Sequence, residues 1–238
     1  MSPLDRLRIE KAAADCGFEM NVVAHEGGLE LRSARFPEPM VVFLESEASF
    51  RITTTNAALL GSADGTGAVA VQGWSALYDT LRNAAARART LPNRVADAFR
   101  EETGDLPRST EAERVVVQRV GQNLFRAALL DYWQGRCCVT GLDIPELLRA
   151  SHIKPWAACE SDNQRLDVFN GLLLAPQLDA LFDAGWMSVD ANGGIQLSST
   201  LSNQAREVLG LSKPLPPVQL RPAHLPYLEF HWQRIFRG

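Results

Sequence analysis

The sequence predicts an α+β protein in which a small N-terminal α+β domain is followed by a second domain of short strands flanked by helices. Three observations support this fold class. Extended segments bounded by Gly, Pro, Asn and Asp occupy much of residues 19–73, which is typical of short strands. Apolar residues at helical spacing follow at residues 74–90. After residue 135, short strand patterns precede another helix.

The N-terminal domain is assigned to residues 1–92. Residues 4–16 have an amphipathic pattern that predicts a short helix, and the apolar spacing over residues 74–90 predicts a second helix. The Glu-Gly-Gly at residues 26–28 predicts a hairpin turn. Between the two helices, the predicted strands are residues 19–26, 29–34, 40–46, 51–55 and 68–73.

A helical linker over residues 93–109 is predicted because a helical pattern lies there between two prolines. A long helix follows over residues 110–134. Thr110 and Glu113 have the spacing of a capping box, in which each side chain bonds the other's backbone amide. Gly135 suits the C-terminal cap of this helix. The second domain is assigned to residues 110–238.

The charge distribution limits the kinds of partner. The net charge of −4 argues against a broad, non-specific surface for nucleic acid. Residues 1–105 contain 11 Lys/Arg and 15 Asp/Glu, whereas residues 106–238 contain 13 of each. If some acidic residues of the second half bind a metal, the rest of its surface is more basic than this sum indicates.

Composition also predicts the location of the protein. No run of 18 apolar residues is present, so we expect no membrane span, and the first residues lack the apolar stretch of a secretory signal. We therefore expect a cytoplasmic protein. The cysteines contain no CxxC pair, so neither a disulfide framework nor a zinc ribbon is indicated for Cys16, Cys137, Cys138 and Cys159.

The pattern that suggests chemistry begins after Gly135. Residues 136–141 are predicted as a short strand and turn, and residues 147–153 as a second strand. A polar loop leads to a further strand at residues 170–175. A helix then begins at Pro176, a residue that is common in the first turn of helices.

Two carboxylates in that last helix are candidates for metal binding. Asp179 and Asp183 are four residues apart and therefore share one helical face. Carboxylates one turn apart can hold a hard divalent cation through oxygen. His152, at the end of the preceding strand pattern, is a candidate base for a water molecule that attacks phosphorus. A lone histidine is more often structural, so the hypothesis depends on these residues together.

Three ordered motifs carry a resemblance to a known family: "ASHIKPW" at residues 150–156, "FNGLLL" at 169–174 and "LDALFDAG" at 178–185. With them, residues 108–238 resemble the HNH endonucleases, in particular the branch found in bacterial restriction enzymes. The resemblance implies that the second domain is a ββα-metal nuclease domain, in which two strands and a helix grip one metal ion.

The resemblance also implies roles for five residues. His152 matches the general base that activates water, and Asn170 matches the residue that braces the neighbouring loop. Asp179 stands where the last histidine of the family often binds the metal, and Asp183 matches a second ligand position. Ser151 replaces an aspartate that ligates the metal in many members. This oxygen-rich set implies one Mg²⁺ or Mn²⁺ ion rather than Zn²⁺.

The implied reaction is the hydrolysis of a phosphodiester bond in double-stranded DNA. Lys154 and Arg149 are candidates for contacts with flanking phosphates, or else belong to a solvated face. Trp156 either packs in the core or stacks on nucleic acid. Because one ββα site cuts one strand, double-strand cleavage would require a homodimer or two sequential nicks.

Three hypotheses for the whole protein remain open, and the first two assign different roles to residues 1–92. The domain could read a sequence or a modified base in a restriction enzyme. It could instead be a binding or dimerisation module in a DNA-binding regulatory protein with an inactive nuclease. A phage or homing-type nicking nuclease is the third possibility. The candidates for a base pocket, which could equally be core residues, are Phe18, Phe36, Phe43, Phe50, Trp74 and Tyr78.

Overall fold

The computed structural model describes residues 1–61, 67–107 and 109–238. The chain divides into two compact units, Met1–Leu91 and Pro92–Gly238, which are treated separately below. Arg108, within the predicted linker, lies outside the described residues. Within the described ranges, no helix has both the length and the apolar character needed to cross a membrane.

The first unit is a five-stranded antiparallel sheet with two helices. The strands follow one another in space as they do in sequence, from β1 to β5. Glu26 and Gly27 connect β1 to β2 with φ of 44° and 87°, the positive values that a tight hairpin requires. The elements are α1 (Pro3–Asp15), β1 (Val23–His25), β2 (Gly28–Leu31), β3 (Met40–Ser46), β4 (Ser49–Thr54), β5 (Ala68–Gln72) and α2 (Trp74–Arg89).

Alternation along the central strands creates the core of this unit. Val42 pairs with Ile52 across β3 and β4, and both side chains are fully buried on the same face of the sheet. They form one cluster with Leu77 and Leu81 of α2. Of the aromatic residues that were candidates for a base pocket, Phe18, Phe36 and Phe50 belong to this core, whereas Phe43, Trp74 and Tyr78 are half-buried.

The second unit contains a ββα motif, a separate two-stranded antiparallel sheet and several further helices. Strands β6 and β7 pair antiparallel, with His152 opposite Gly171, and α6 follows β7 directly. The elements are α3 (Arg94–Thr103), α4 (Glu111–Tyr132), β6 (Arg149–His152), α5 (Asp162–Arg165), β7 (Gly171–Leu174), α6 (Pro176–Asp183), β8 (Met187–Val189), β9 (Ile195–Leu197), α7 (Asn203–Val208) and α8 (Leu225–Arg234).

Residues 136–141 were predicted as a short strand and turn, and the structure contains the turn but not the strand. The Cys137 amide donates to the Leu142 carbonyl at 2.8 Å, and the Gly141 amide donates back to the Cys137 carbonyl at 2.9 Å. The Cys137 sulfur accepts the amides of Thr140 and Ala175 at 3.4 and 3.3 Å. These local bonds and the thiol acceptor replace the strand ladder that the apolar Cys-Cys-Val sequence suggested.

The segment predicted as a helical linker packs into the second unit. Helix α3 places Val95, Ala96 and Phe99 in the same core as α4 and the ββα motif. The predicted capping box at the start of α4 is present, since the Glu113 amide donates to the Thr110 hydroxyl at 3.2 Å. Helix α4 ends at Tyr132 rather than at residue 134, because the chain turns with positive φ at Gln134 and Gly135.

Two glycines that follow helices in the second unit allow a matched stability test. Gly185 has φ of +74°, and a Cβ there would overlap the carbonyl oxygen of Ile235. Gly210 has φ of +70° with no atom within 4 Å of that position. We expect Gly210→Ala to lower the free energy of unfolding by about 1 kcal/mol through the left-handed backbone alone. Gly185→Ala should cost at least about 2 kcal/mol more because the backbone must move.

Urea unfolding followed by tryptophan fluorescence measures this difference, since four of the five tryptophans lie in the second unit. Equal losses of unfolding free energy in the two variants would show that the Ile235 carbonyl does not obstruct a Cβ at residue 185.

Candidate active site

His152, the last residue of β6, is enclosed by aromatic rings and held by one hydrogen bond. Its imidazole stacks on Phe125 with ring centroids 3.9 Å apart and an angle of 13° between planes. Trp156 contacts it edge-on at 5.7 Å. Its Nε2 lies 2.8 Å from the carbonyl oxygen of Arg165. Because a carbonyl can only accept, Nε2 carries the proton and the lone pair is at Nδ1.

The environment of His152 favours the neutral imidazole. Burial lowers its pKa, and the bond to the Arg165 carbonyl opposes this only in part. A neutral histidine with a defined tautomer and a lone pair at Nδ1 is able to accept a proton near neutral pH.

Arg165 holds its own carbonyl in place for His152. Its guanidinium donates to the Trp156 carbonyl at 3.3 Å, the Cys159 carbonyl at 2.7 Å and the Asp162 carboxylate at 3.0 Å. These bonds tie the turn at residues 156–159 to α5. Sequence reasoning did not find Arg165, because the atom that contacts His152 belongs to the backbone and has no residue-specific signature.

Asn170 fixes the chain directly after His152. Its side chain is fully buried; Oδ1 accepts the Lys154 amide at 2.7 Å, and Nδ2 donates to the carbonyls of Lys154 and Gln164 at 3.1 and 3.0 Å. The Asn170 carbonyl also accepts the Ile153 amide at 3.0 Å. The residue predicted to brace the loop therefore lies at the loop and bonds to it.

Ser151, Asp179 and Asp183, the three residues predicted as metal ligands, come together between β6 and α6. The Ser151 hydroxyl donates to Asp183 at 3.1 Å and also acts to lower the pKa of Asp179. Burial, followed by the nearby charge of Asp183, raises the pKa of Asp179, and burial raises the pKa of Asp183. Asp179 is half-buried and Asp183 is exposed, and a bound cation would relieve the repulsion between two carboxylates one helical turn apart.

The donor atoms fit an oxygen-seeking cation better than zinc. Two carboxylates and a hydroxyl are ligands that Mg²⁺ and Mn²⁺ accept, and the set contains neither nitrogen nor sulfur. Over the described ranges, no cluster of three or more His, Cys, Asp or Glu side chains suits a metal ion.

His152 and the carboxylates are on different sides of β6. Ser151 and His152 are consecutive residues of a strand, so their side chains point to opposite faces. Ser151 faces α6, whereas His152 packs against Phe125 of α4. The structure thus brings together Ser151, Asp179 and Asp183, and separately His152 and the loop held by Asn170.

The two basic residues predicted to contact phosphate differ in their surroundings. Arg149 is exposed at the start of β6, and its charge acts to lower the pKa of Asp179. The Lys154 ammonium lies 3.2 Å from Gln164 Oε1 and 5.2 Å from the centre of the Phe230 ring, with 13% of the side chain exposed. Arg149 is therefore the more accessible cation.

Trp156 packs against the helices of the second unit. A Cβ at Gly121 of α4 would lie 2.7 Å from the Trp156 ring and 3.2 Å from Phe99 of α3. The indole thus fills the space above a residue without a side chain and closes one side of His152. This favours the packing interpretation of Trp156 over a stacking platform.

Helix α8 contributes contacts that the sequence did not indicate. His231 is 1% exposed; its Nε2 lies 3.1 Å from the Phe182 carbonyl, and its Nδ1 lies 3.0 Å from the Ser188 hydroxyl. Its ring stacks on Phe182 at 3.9 Å. His231 therefore satisfies a carbonyl at the end of α6, the helix that carries Asp179 and Asp183.

Comparison with known proteins identifies one similarity. Residues 137–190, less than a quarter of the chain, match a family model described as HNH endonuclease. The match spans β6, β7, α6 and β8, and includes every residue predicted for the site. No curated protein matches the chain.

The buried amide of Asn170 should be essential for the stability of the loop. Asn170→Asp keeps the shape but removes the Nδ2 donors and leaves the Lys154 and Gln164 carbonyls without them. We expect a loss of about 3 kcal/mol in the free energy of unfolding. The control, Asn203→Asp, changes an exposed residue in the first turn of α7 and should alter stability by less than about 0.5 kcal/mol. Urea unfolding compares the two, and similar losses would contradict the proposed bracing.

The buried histidines should make the second unit less stable in mild acid. Burial lowers the pKa of His231, so its stabilising effect is complete above its unfolded pKa of about 6.5 and is lost as the pH falls below that value. We expect His231→Gln to be less stable than the wild type at about pH 7.5 but to lose less stability between about pH 7.5 and 5.5.

The raised pKa values of Asp179 and Asp183 stabilise the folded protein as the pH falls, in the opposite direction to His231. Because the wild type and the variant share these two residues, the difference between their pH profiles isolates His231. Asn203→Gln, at an exposed residue of α7, is the control and should leave the pH profile unchanged because neither side chain titrates. An identical pH profile in wild type and His231→Gln would refute the prediction.

Proposed function

We propose, from the premise that residues 137–190 are an HNH endonuclease domain, that the protein is a metal-dependent endonuclease that hydrolyses phosphodiester bonds in DNA. The observation that carries this proposal is the sterically fixed imidazole of His152, one residue from the Ser151 hydroxyl that bonds Asp183 beside Asp179. A base and an oxygen-rich acidic pair are the two components that hydrolysis of a phosphodiester needs.

His152 acts as the base in this proposal. Its Nδ1 takes the proton from the water that attacks phosphorus, while Nε2 keeps its own proton and donates it in the hydrogen bond to the Arg165 carbonyl. That bond stabilises the imidazolium formed by proton transfer, and the stack on Phe125 keeps the plane of the ring constant. Burial, which lowers the pKa of His152, keeps the base neutral before the reaction.

Asp179 and Asp183, joined by Ser151, would hold a divalent cation, and Mg²⁺ or Mn²⁺ fits these oxygen donors. When bound, such a cation supplies electrostatic stabilisation for the charge that develops on the phosphate and the leaving oxygen. Arg149, exposed beside Asp179, contacts a flanking phosphate. Lys154 would contribute only after leaving Gln164.

The biological role that we infer is restriction of foreign DNA in the cytoplasm. In this role the first unit, Met1–Leu91, selects the DNA by its sequence or by a modified base. The acid-rich composition of residues 1–105 favours selective contacts over broad phosphate binding. One ββα site cuts one strand, so a double-strand break requires a homodimer or two sequential nicks.

A second candidate is a DNA-binding regulatory or assembly protein whose nuclease domain is inactive. The observations that favour it are the ligand set of only two carboxylates and the position of His152 on the opposite face of β6 from them. A third, the phage or homing-type nicking nuclease, differs in its product, which is nicked rather than linear plasmid.

Plasmid cleavage tests these candidates. Supercoiled plasmids with unmodified cytosine, 5-methylcytosine, hydroxymethylcytosine or phosphorothioate linkages are incubated with Mg²⁺, Mn²⁺ or Zn²⁺. We expect cleavage with Mg²⁺ or Mn²⁺, and we expect His152→Ala to reduce the rate by at least about a hundredfold because the general base is lost. Asp179→Asn should reduce it through the loss of a metal ligand.

His25→Ala is the matched control, since it removes an exposed histidine in the first unit. Its rate should equal that of the wild type. If the wild type binds DNA but cuts none of the substrates with any metal, the regulatory candidate replaces the nuclease.

A further inference from the structure

We propose that Tyr227 is a positioning residue for this site: its hydroxyl, acting through Asp167, fixes Asn170 and with it the loop that orients His152. Tyr227 lies in α8, beyond the segment that matches the family. The catalytic part of the inference rests on the proposed nuclease function, whereas the structural part does not.

The first step is the bond between α8 and Asp167. The Tyr227 hydroxyl donates to Asp167 Oδ2 at 2.9 Å, while Oδ1 of the same carboxylate accepts the Phe169 amide at 3.0 Å. Both oxygens are thus engaged, one by α8 and the other by the chain leading to Asn170. A carboxylate held at both oxygens cannot rotate, so the hydroxyl sets its orientation.

The second step connects Asp167 to Asn170. Asp167 caps the 3-10 turn Val168–Asn170 with its carboxylate, and its carbonyl accepts the Asn170 amide at 2.9 Å. This turn directly precedes β7, where Gly171 pairs with His152. The position of the Asn170 side chain therefore depends on the cap that Tyr227 orients.

The third step reaches His152. Asn170 holds the amides of Ile153 and Lys154 through its carbonyl and its Oδ1, at 3.0 and 2.7 Å. Its Nδ2 also donates to the Gln164 carbonyl. The next residue, Arg165, has the carbonyl that accepts the hydrogen bond from His152 Nε2. Both the backbone after His152 and the acceptor of its ring are therefore attached to Asn170.

The hydroxyl can be removed without detaching α8. The helix is anchored independently by His231, which bonds Phe182 and Ser188, and by Leu228, which is 3% exposed. Tyr227→Phe keeps the ring and removes one donor. A change confined to the loop after His152 would therefore report the loss of positioning and not the loss of the helix.

The test measures backbone hydrogen exchange and plasmid cleavage in the full-length protein. We expect Tyr227→Phe to accelerate exchange of the Ile153 and Lys154 amides by about tenfold, the upper range for one hydrogen bond, with no change at Leu129 in α4. We expect kcat to fall by at least about tenfold with KM unchanged, because the base is misplaced but DNA contacts persist.

Two further variants make the test specific. Tyr78→Phe removes the same kind of bond in the first unit, where the Tyr78 hydroxyl donates to Asp15 at 3.2 Å, and should leave the exchange of the Ile153 and Lys154 amides unchanged. Asp167→Ala breaks the same connection at its other end. The double variant with Tyr227→Phe should therefore exchange at the rate of Asp167→Ala alone.

Unchanged exchange at Ile153 and Lys154 in Tyr227→Phe would overturn the proposal. A uniform increase that includes Leu129 would also overturn it, because that result assigns Tyr227 to general stability. If the wild type cuts no DNA, the proposed function fails but the exchange data still decide whether Tyr227 positions the loop.

Discussion

The buried amide of Asn170 is the interaction on which the rest of the site depends. It joins the start of β7 to the loop after β6 by accepting one backbone amide and donating to two carbonyls. An aspartate of the same shape could not donate, and a residue without polar atoms would leave three buried backbone groups unsatisfied. The orientation of His152 follows from this amide and from the carbonyl of Arg165.

Burial shifts the pKa values of the two groups of the site in opposite directions. It lowers the pKa of His152 and raises the pKa values of Asp179 and Asp183, because burial disfavours the charged form of each. Burial therefore favours the neutral form of the imidazole and the neutral forms of the two carboxyl groups. One strand separates the two environments because consecutive side chains of β6 point to opposite faces.

Much of this arrangement could be predicted from the sequence, and there are physical reasons why the rest could not. Helices with clear apolar spacing and strands bounded by turn residues were confirmed, whereas residues 136–141 form a turn because a thiol and local amides satisfy their backbone. The order of motifs identified the HNH segment. Phe125 and Tyr227 could not be found, since each acts on a residue far away in sequence. The Arg165 carbonyl has no signature in residue type.

The attachment of α8 to α6 and to the loop between β6 and β7 has a consequence for the nascent chain. Residues are added from the N-terminus, so β6, β7 and α6 are synthesised before Tyr227 and His231 exist. Until α8 has been made, the Asp167 carboxylate lacks its second donor and the last turn of α6 lacks the imidazole that bonds the Phe182 carbonyl. Assembly of the candidate site therefore waits for a helix that is translated well after the residues of the site.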